Sequence, residues 1–168
     1  NDNIFAKIKA KEIECVFLTL NVGAGTFLPV RTDDLASHKM HSEKFFLSKE
    51  SCEIINNAKK NGKKIIAVGT TSLRAIESSV DENGILQPQN RATEIFIYPP
   101  YKFKIIDVLM TNFHLPKSTL FMLICAFIGY ENAFRLYSHA IEKQYRFYSY
   151  GDSSLLFRND LSDFKIEK

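Results

Sequence analysis

The stretch KIIAVGTTSLRAIESS, residues 64–79, decides how this chain folds. Its first five residues, Lys64 to Val68, form a short apolar run of the kind that makes a buried strand. Gly69, Thr70, Thr71 and Ser72 turn the chain, and Leu73, Ile76 and Val80 then share one face of a helix running from Leu73 to Ser79. Strand, glycine turn and helix together are the unit from which layered α/β proteins are assembled.

Reading outward toward the N-terminus, Ile4, Phe5 and Ile8 recur at helical spacing up to Lys11, and Glu14 to Val22 is rich in strand-forming residues. Gly23, Ala24 and Gly25 close that strand; Thr26 to Val30 contains Pro29 and reads as an edge strand or an extended connection. Glu43 to Leu47 is extended, Ser48 caps a helix through Asn61, and Gly62 stops it. On the C-terminal side, Asp81 to Ala92 is polar and aperiodic and reads as a surface loop. Glu94 to Tyr98 and Phe103 to Met110 read as strands joined by Pro99, Pro100 and Tyr101, and Thr111 to Pro116 as a strand-end loop. Ser118 caps a helix to Ile128, which Gly129 ends, and Glu131 to Gln144 is a second helix carrying Ala133, Phe134, Tyr137, Ala140 and Ile141 in register. Arg146 to Tyr150 reads as the last strand. Helices and strands alternate throughout, which predicts an α/β fold, a mixed sheet with helices on both faces, over residues 1–157, followed by a charged tail at 158–168.

Composition narrows the class. Of 168 residues, 45% are apolar and 24% charged, enough to build one core. The longest apolar run, Leu120 to Ile128, is about half of a bilayer span, so no membrane partner is expected. Three dispersed cysteines, Cys15, Cys52 and Cys125, suggest neither a disulfide framework nor a zinc site, and fit a reducing cytoplasm. A net charge of +3 is too small to prove a nucleic-acid partner, although Lys59, Lys60, Lys63 and Lys64 cluster. Asn1 and the lack of a signal-peptide layout predict that the chain begins inside a longer protein.

In α/β sheets the ligand crevice lies beyond the carboxyl ends of the strands. Three predicted strands end in small, polar loops: Gly23 to Thr26, Gly69 to Ser72, and Thr111 to His114. Their convergence is the first functional expectation. Gly23 and Gly25 allow close backbone approach to a ligand, though the third glycine of a dinucleotide fingerprint is missing. Thr70, Thr71 and Ser72 set three hydroxyls beside the free amides of a helix start, suited to a carboxylate or phosphate, or else simply cap the helix. Arg74 either adds a charged fork for that anion or is a surface arginine.

His38, His41 and Glu43 lie within six positions in a chain with four histidines. If that stretch is extended, His41 and Glu43 face one side and make an acid/base pair. No further ligand at metal spacing accompanies them, so no metal is expected. His139 reads as a surface or packing residue. Thr111, Asn112, Phe113 and His114 form a polar strand end with an aromatic that either stacks on a base or packs in the core. Tyr148, Tyr150 and Asp152 pose the same alternative at the end of the last predicted strand.

The strings HKMHSE, AVGTTSLRAIES, EIFIYPPY, TNFHLPKSTLFML and YRFYSYGD together resemble the S-adenosylmethionine:tRNA ribosyltransferase-isomerase family of queuosine biosynthesis, in its order and spacing. The resemblance covers nearly the whole chain and corresponds to the family's C-terminal half. It implies transfer and rearrangement of the ribosyl part of S-adenosylmethionine onto 7-aminomethyl-7-deazaguanine at the tRNA wobble position, giving epoxyqueuosine tRNA, adenine and methionine. S-adenosylmethionine is then a cosubstrate, no cofactor is permanently bound, the macromolecular partner is tRNA, and the enzyme is a cytoplasmic monomer. His41, Glu43 and His114 become candidates for proton transfer. Gly23, Gly25, Thr26, Gly69, Thr70, Thr71, Ser72 and Arg74 become candidates for binding S-adenosylmethionine, and Thr111, Asn112, Phe113, Tyr150 and Asp152 for the other substrate.

This sequence departs from the family in places. Asn21 stands where the family often has histidine, which keeps a hydrogen-bonding group and loses imidazole proton chemistry. Arg91 or Ala92 replaces a usual glycine, and Pro99-Pro100 a usual Pro-Gly turn. The family's first strands, its inserted β-barrel and a Pro-Thr-Ala-Gly-Leu-His segment are absent from these residues, which implies an incomplete α/β domain that is inactive alone. Two other readings fit parts of the pattern: a methyltransferase using the same cosubstrate, and a noncatalytic tRNA-binding remnant.

Overall fold

The computed structural model describes residues 2–21 and 40–159. Helix α1 (Asp2–Ala10) leads into the short strand β1 (Thr19–Asn21). Strand β2 (Glu43–Leu47) feeds α2 (Lys49–Lys60), and β3 (Ile66–Val68) feeds α3 (Thr70–Ser78). Then follow β4 (Gln89–Thr93), β5 (Val108–Asn112), α4 (Thr119–Ile128), α5 (Tyr130–Glu142) and β6 (Ser153–Phe157). The strands form two three-stranded sheets: β1-β2-β4, antiparallel throughout, and β3-β5-β6, in which β3 and β5 run parallel and β6 antiparallel. The expected α/β architecture holds, with the strands divided between two sheets.

The helix starts follow from local chemistry. Ser48 Oγ accepts from the Ser51 N–H at 3.1 Å, and Ser118 Oγ from the Phe121 N–H at 3.1 Å, each satisfying an otherwise orphaned amide of a first turn. Gly129 separates α4 from α5 at φ +83°, a conformation that glycine adopts without a Cβ penalty. Gly69, not a hydroxyl, occupies the N-cap of α3, and no side chain caps that helix. Thr71 and Ser72 therefore lie inside its first turn and are not its caps.

Three expected strands are displaced. Gln89 to Thr93, all but its last residue read as part of a polar loop, pairs with all of β2, while 94–98 lies beyond the ladder. The apolar run 103–107 stands outside the ladder because its amides go elsewhere: the buried Glu77 carboxylate accepts the N–H groups of Lys104, Ile105 and Ile106 at 2.9–3.0 Å. The Tyr101 hydroxyl joins them at 3.3 Å. Arg146 to Tyr150 is a loop, and the last strand begins after it at Ser153.

Leu73, Ile106, Leu109, Leu123, Ile124 and Phe127, at most 1% exposed, anchor the core between the sheets and α3, α4 and α5. The expected buried strand at 64–68 is buried on one side only. Ala67 points into the core, whereas Ile66 and Val68 stand 53% and 67% exposed.

Candidate active site

Parallel strands β3 and β5 end at the same edge, so the loops that follow them are neighbours. The Gly69 N–H donates to the Met110 carbonyl at 2.8 Å, which fixes the start of α3 beside the end of β5. A third loop joins from the far side: Asn112 Nδ2 donates to the carbonyls of Gly151 and Asp152 at 3.4 and 3.3 Å. Gly69 to Ser72, Thr111 to His114, and Tyr148 to Asp152 are thereby brought together. Gly23, Gly25 and Thr26, expected as the third loop, lie outside the described residues, as does His38.

Within this cluster an open hollow is lined by Asn112, His114, Leu115, Ser118, Tyr148 and Ser149, with Phe113 and Leu120 as its apolar wall. His114 is held from two directions. Its ring Nε2 lies 3.1 Å from Thr111 Oγ1, and its backbone N–H donates to the Tyr137 hydroxyl at 3.0 Å. Burial, which disfavours the charged ring, pushes its pKa from the ordinary 6.5 down to about 4. At neutral pH it is an uncharged imidazole able to donate one hydrogen bond and accept another.

Phe113 does not face the hollow as an exposed stacking ring. It is 1% exposed and packs against Tyr137, Tyr145 and Phe147 at centroid distances of 5.4, 5.8 and 5.4 Å. Its effect on the site is to fix the backbone between Asn112 and His114. Asp152 binds Arg146, accepting from the backbone N–H at 2.8 Å and from the guanidinium at 3.0 Å, and these hydrogen bonds hold its carboxyl below the usual range.

The structure separates His41 from Glu43. His41 is exposed, whereas Glu43 begins the buried face of β2 and is wholly shielded. Its carboxylate meets Arg74 Nη1 in a buried ion pair, and Arg74 Nε donates to the Ile95 carbonyl at 3.2 Å. Arg74, 1% exposed, is thus neither a surface arginine nor open to solvent at the strand ends. Burial pushes its pKa down while Glu43 opposes the shift. The pair clamps α3 onto β2, and with it the loop that opens α3. Thr70 is buried, and Thr71 and Ser72 are half-buried at the start of the helix. Among the described residues no group of three His, Cys, Asp or Glu side chains is placed to hold a metal ion.

The part sequence reasoning missed is the tie between Asn112 and the 151–152 backbone. The two segments are about forty positions apart, and only the pairing of β5 with β6 brings them together.

Comparison with known proteins bears directly on this cluster. The family described as "Queuosine biosynthesis protein" matches residues 1–156. The chain belongs to that family. S-adenosylmethionine:tRNA ribosyltransferase-isomerase of Brucella anthropi is 58% identical over 158 residues, covering 94% of this chain and 44% of the relative. The protein of that name from Rickettsia bellii is 54% identical over 157 residues, covering 94% and 44%. A crystal structure of S-adenosylmethionine tRNA ribosyltransferase from Thermotoga maritima superposes with a TM-score of 0.74 at 33% identity, covering 92% of this chain and 49% of that one. The chain therefore spans about half the length of the family members it matches. An alignment of 158 residues in a chain of 168 has no room to leave the three strand-end loops outside it.

Proposed function

We propose that this chain is the C-terminal part of an S-adenosylmethionine:tRNA ribosyltransferase-isomerase. In this reading the complete protein transfers and isomerises the ribosyl moiety of S-adenosylmethionine onto 7-aminomethyl-7-deazaguanine at the tRNA wobble position, releasing adenine and methionine. It works in the cytoplasm, as a monomer, with S-adenosylmethionine as cosubstrate. The observation that carries the reading is 58% identity to a protein of that name across an alignment that must include all three strand-end loops.

The geometry supports a division of labour among the candidates. A neutral His114 beside Thr111, facing a hollow, suits hydrogen bonding to a ribose hydroxyl or a purine nitrogen. The sulfonium acidifies the adjoining ribose carbon, so a base must begin the sequence. Of the three candidates, Glu43 is shielded and engaged by Arg74, whereas His41 is exposed. Glu43 and Arg74 hold the loop in place. The hydroxyls of Thr71 and Ser72 and the uncapped first turn of α3 suit the substrate's carboxylate.

The test uses the complete protein with S-adenosylmethionine labelled separately in the ribose and in the methyl group. Ribose label on tRNA, with adenine released, is the expected result. Methyl label on tRNA with S-adenosylhomocysteine formed would replace this reading with a methyltransferase. The 168-residue chain alone is expected to release no adenine, because it spans about half the length of the relatives that carry the name.

A further inference from the structure

The loop between α5 and β6 is pinned by backbone hydrogen bonds yet holds two of its tyrosine rings, Tyr148 and Tyr150, in water. The Tyr148 N–H donates to the Phe113 carbonyl at 3.1 Å, the Gly151 N–H to the Tyr148 carbonyl at 2.9 Å, and the Asp152 N–H to the Arg146 carbonyl at 2.8 Å. The Arg146–Asp152 ion pair closes the loop at its base. A Cβ on Gly151 would lie 2.3 Å from the Arg146 carbonyl oxygen, so only glycine fits there. Tyr148 adopts φ +69°, an uncommon conformation for a bulky residue that persists only where surrounding contacts impose it. Held this way, Tyr150 is 97% exposed and Tyr148 59% exposed.

An ordered backbone that carries a fully hydrated aromatic ring forgoes the gain of burying it, an arrangement suited to a binding platform and not to a core. The platform also has a definite position. Tyr148 and Ser149 line the hollow beside His114, whereas Tyr150 lies outside that lining. A ring placed beyond the hollow meets what projects from it, which a small cosubstrate held within would not. A tRNA whose wobble base enters the site necessarily leaves unpaired neighbours outside, and unpaired bases stack on exposed aromatic rings whatever their identity.

Resting on the function proposed above, we propose that Tyr150 is a stacking residue for an unpaired anticodon-loop base flanking the modified one. In the complete protein, Tyr150→Ala should weaken binding of an anticodon stem-loop bearing the precursor base by roughly tenfold to a hundredfold. Turnover at saturating RNA and the KM for S-adenosylmethionine should stay within about twofold, and Tyr150→Phe, which keeps the ring, should restore affinity. Unchanged RNA affinity, a rise confined to the KM for S-adenosylmethionine, or failure of the phenylalanine variant to restore binding would each overturn the proposal. So would a lower melting temperature for Tyr150→Ala, since that would place the ring inside a protein contact. The unsubstituted protein is measured first. If it neither binds the stem-loop nor transfers ribose label, the functional reading fails and this inference with it; if it does both and Tyr150→Ala binds equally well, only the stacking role fails.

Discussion

The two sheets turn very different outer faces to solvent. On β1-β2-β4 the outer face carries Thr19, Asn21, Lys44 and Asn90 around Phe46, the polar surface expected of an antiparallel sheet with one wet side. On β3-β5-β6 the register aligns Ile66, Val108 and Phe157 in one row and Val68, Met110 and Leu155 in the next. Five of these six are between 43% and 67% exposed. A wet polar face is usual for an antiparallel sheet, whereas an exposed apolar face of this kind marks a surface that another element covers. The matched relatives have more than twice this chain's aligned length, which supplies an occupant: the portion of the family's length that this chain does not match.

The inner sides of both sheets are finished, and the largest effects should come from there. Arg74→Met removes the guanidinium from a wholly buried carboxylate. It should cost about 3–5 kcal/mol, because an uncompensated buried charge is far worse than a missing pair. Replacing both partners with apolar residues of similar volume should recover much of that loss, and chemical denaturation of the single and double variants checks both statements. Leu109→Ala, at a site 0% exposed on β5, the central strand of its sheet, should cost about 2–5 kcal/mol by loss of transfer energy plus a cavity.

An effect of intermediate size is pH-dependent. The unfolded chain protonates His114 near the ordinary 6.5, while the folded chain resists until about 4. The contribution of His114 to stability should therefore be level above pH 6.5, fall as pH drops through the window from 6.5 to 4, and level off below it, by roughly 3 kcal/mol in all. His114→Gln should flatten that part of the stability curve, as read from denaturation midpoints across the window.

Which parts of this were legible from residues alone follows from how local each signal is. Ser48 and Ser118 cap their helices with amides three residues on, so sequence finds them. The convergence of Gly69 to Ser72 with Thr111 to His114 was also legible, because alternating strands and helices imply parallel strand ends on one edge. The alternation in Glu43-Lys44-Phe45-Phe46-Leu47 already puts Glu43 on the face of Phe45 and Leu47, a sign that it is buried; its partner lies 31 positions away on another element. Strand β4 was hidden for a different reason. Gln-Asn-Arg-Ala-Thr has little strand propensity to detect, with only Thr93 a strand former, and its ladder with β2 is a tertiary fact. The run at 103–106 misleads in the opposite sense, since its apolar residues suggest a strand while Glu77 takes its amides.

The smallest effect in this chain is the one that sharpens the contrast between the sheets most. Val68 is 67% exposed at the end of β3, an outer strand of the open apolar face. Val68→Lys should change the stability of the 168-residue chain by no more than about 0.5 kcal/mol, because the lysine head stays in water and little packing is lost. In a complete protein the same substitution places an ammonium where the remaining portion of the family should pack, and a buried unpaired charge lowers stability by several kcal/mol. Melting temperatures of both lengths, with and without the substitution, measure the difference. A near-zero change in the short chain with a large fall in the long one fits a face made to be covered by the rest of the protein. Equal, small changes in both would mean that the open face stays open, and the asymmetry between the sheets would then need a different cause. A substantial loss in the short chain alone would point to self-association through this face, which a shift from dimer to monomer on sedimentation of Val68→Lys would reveal.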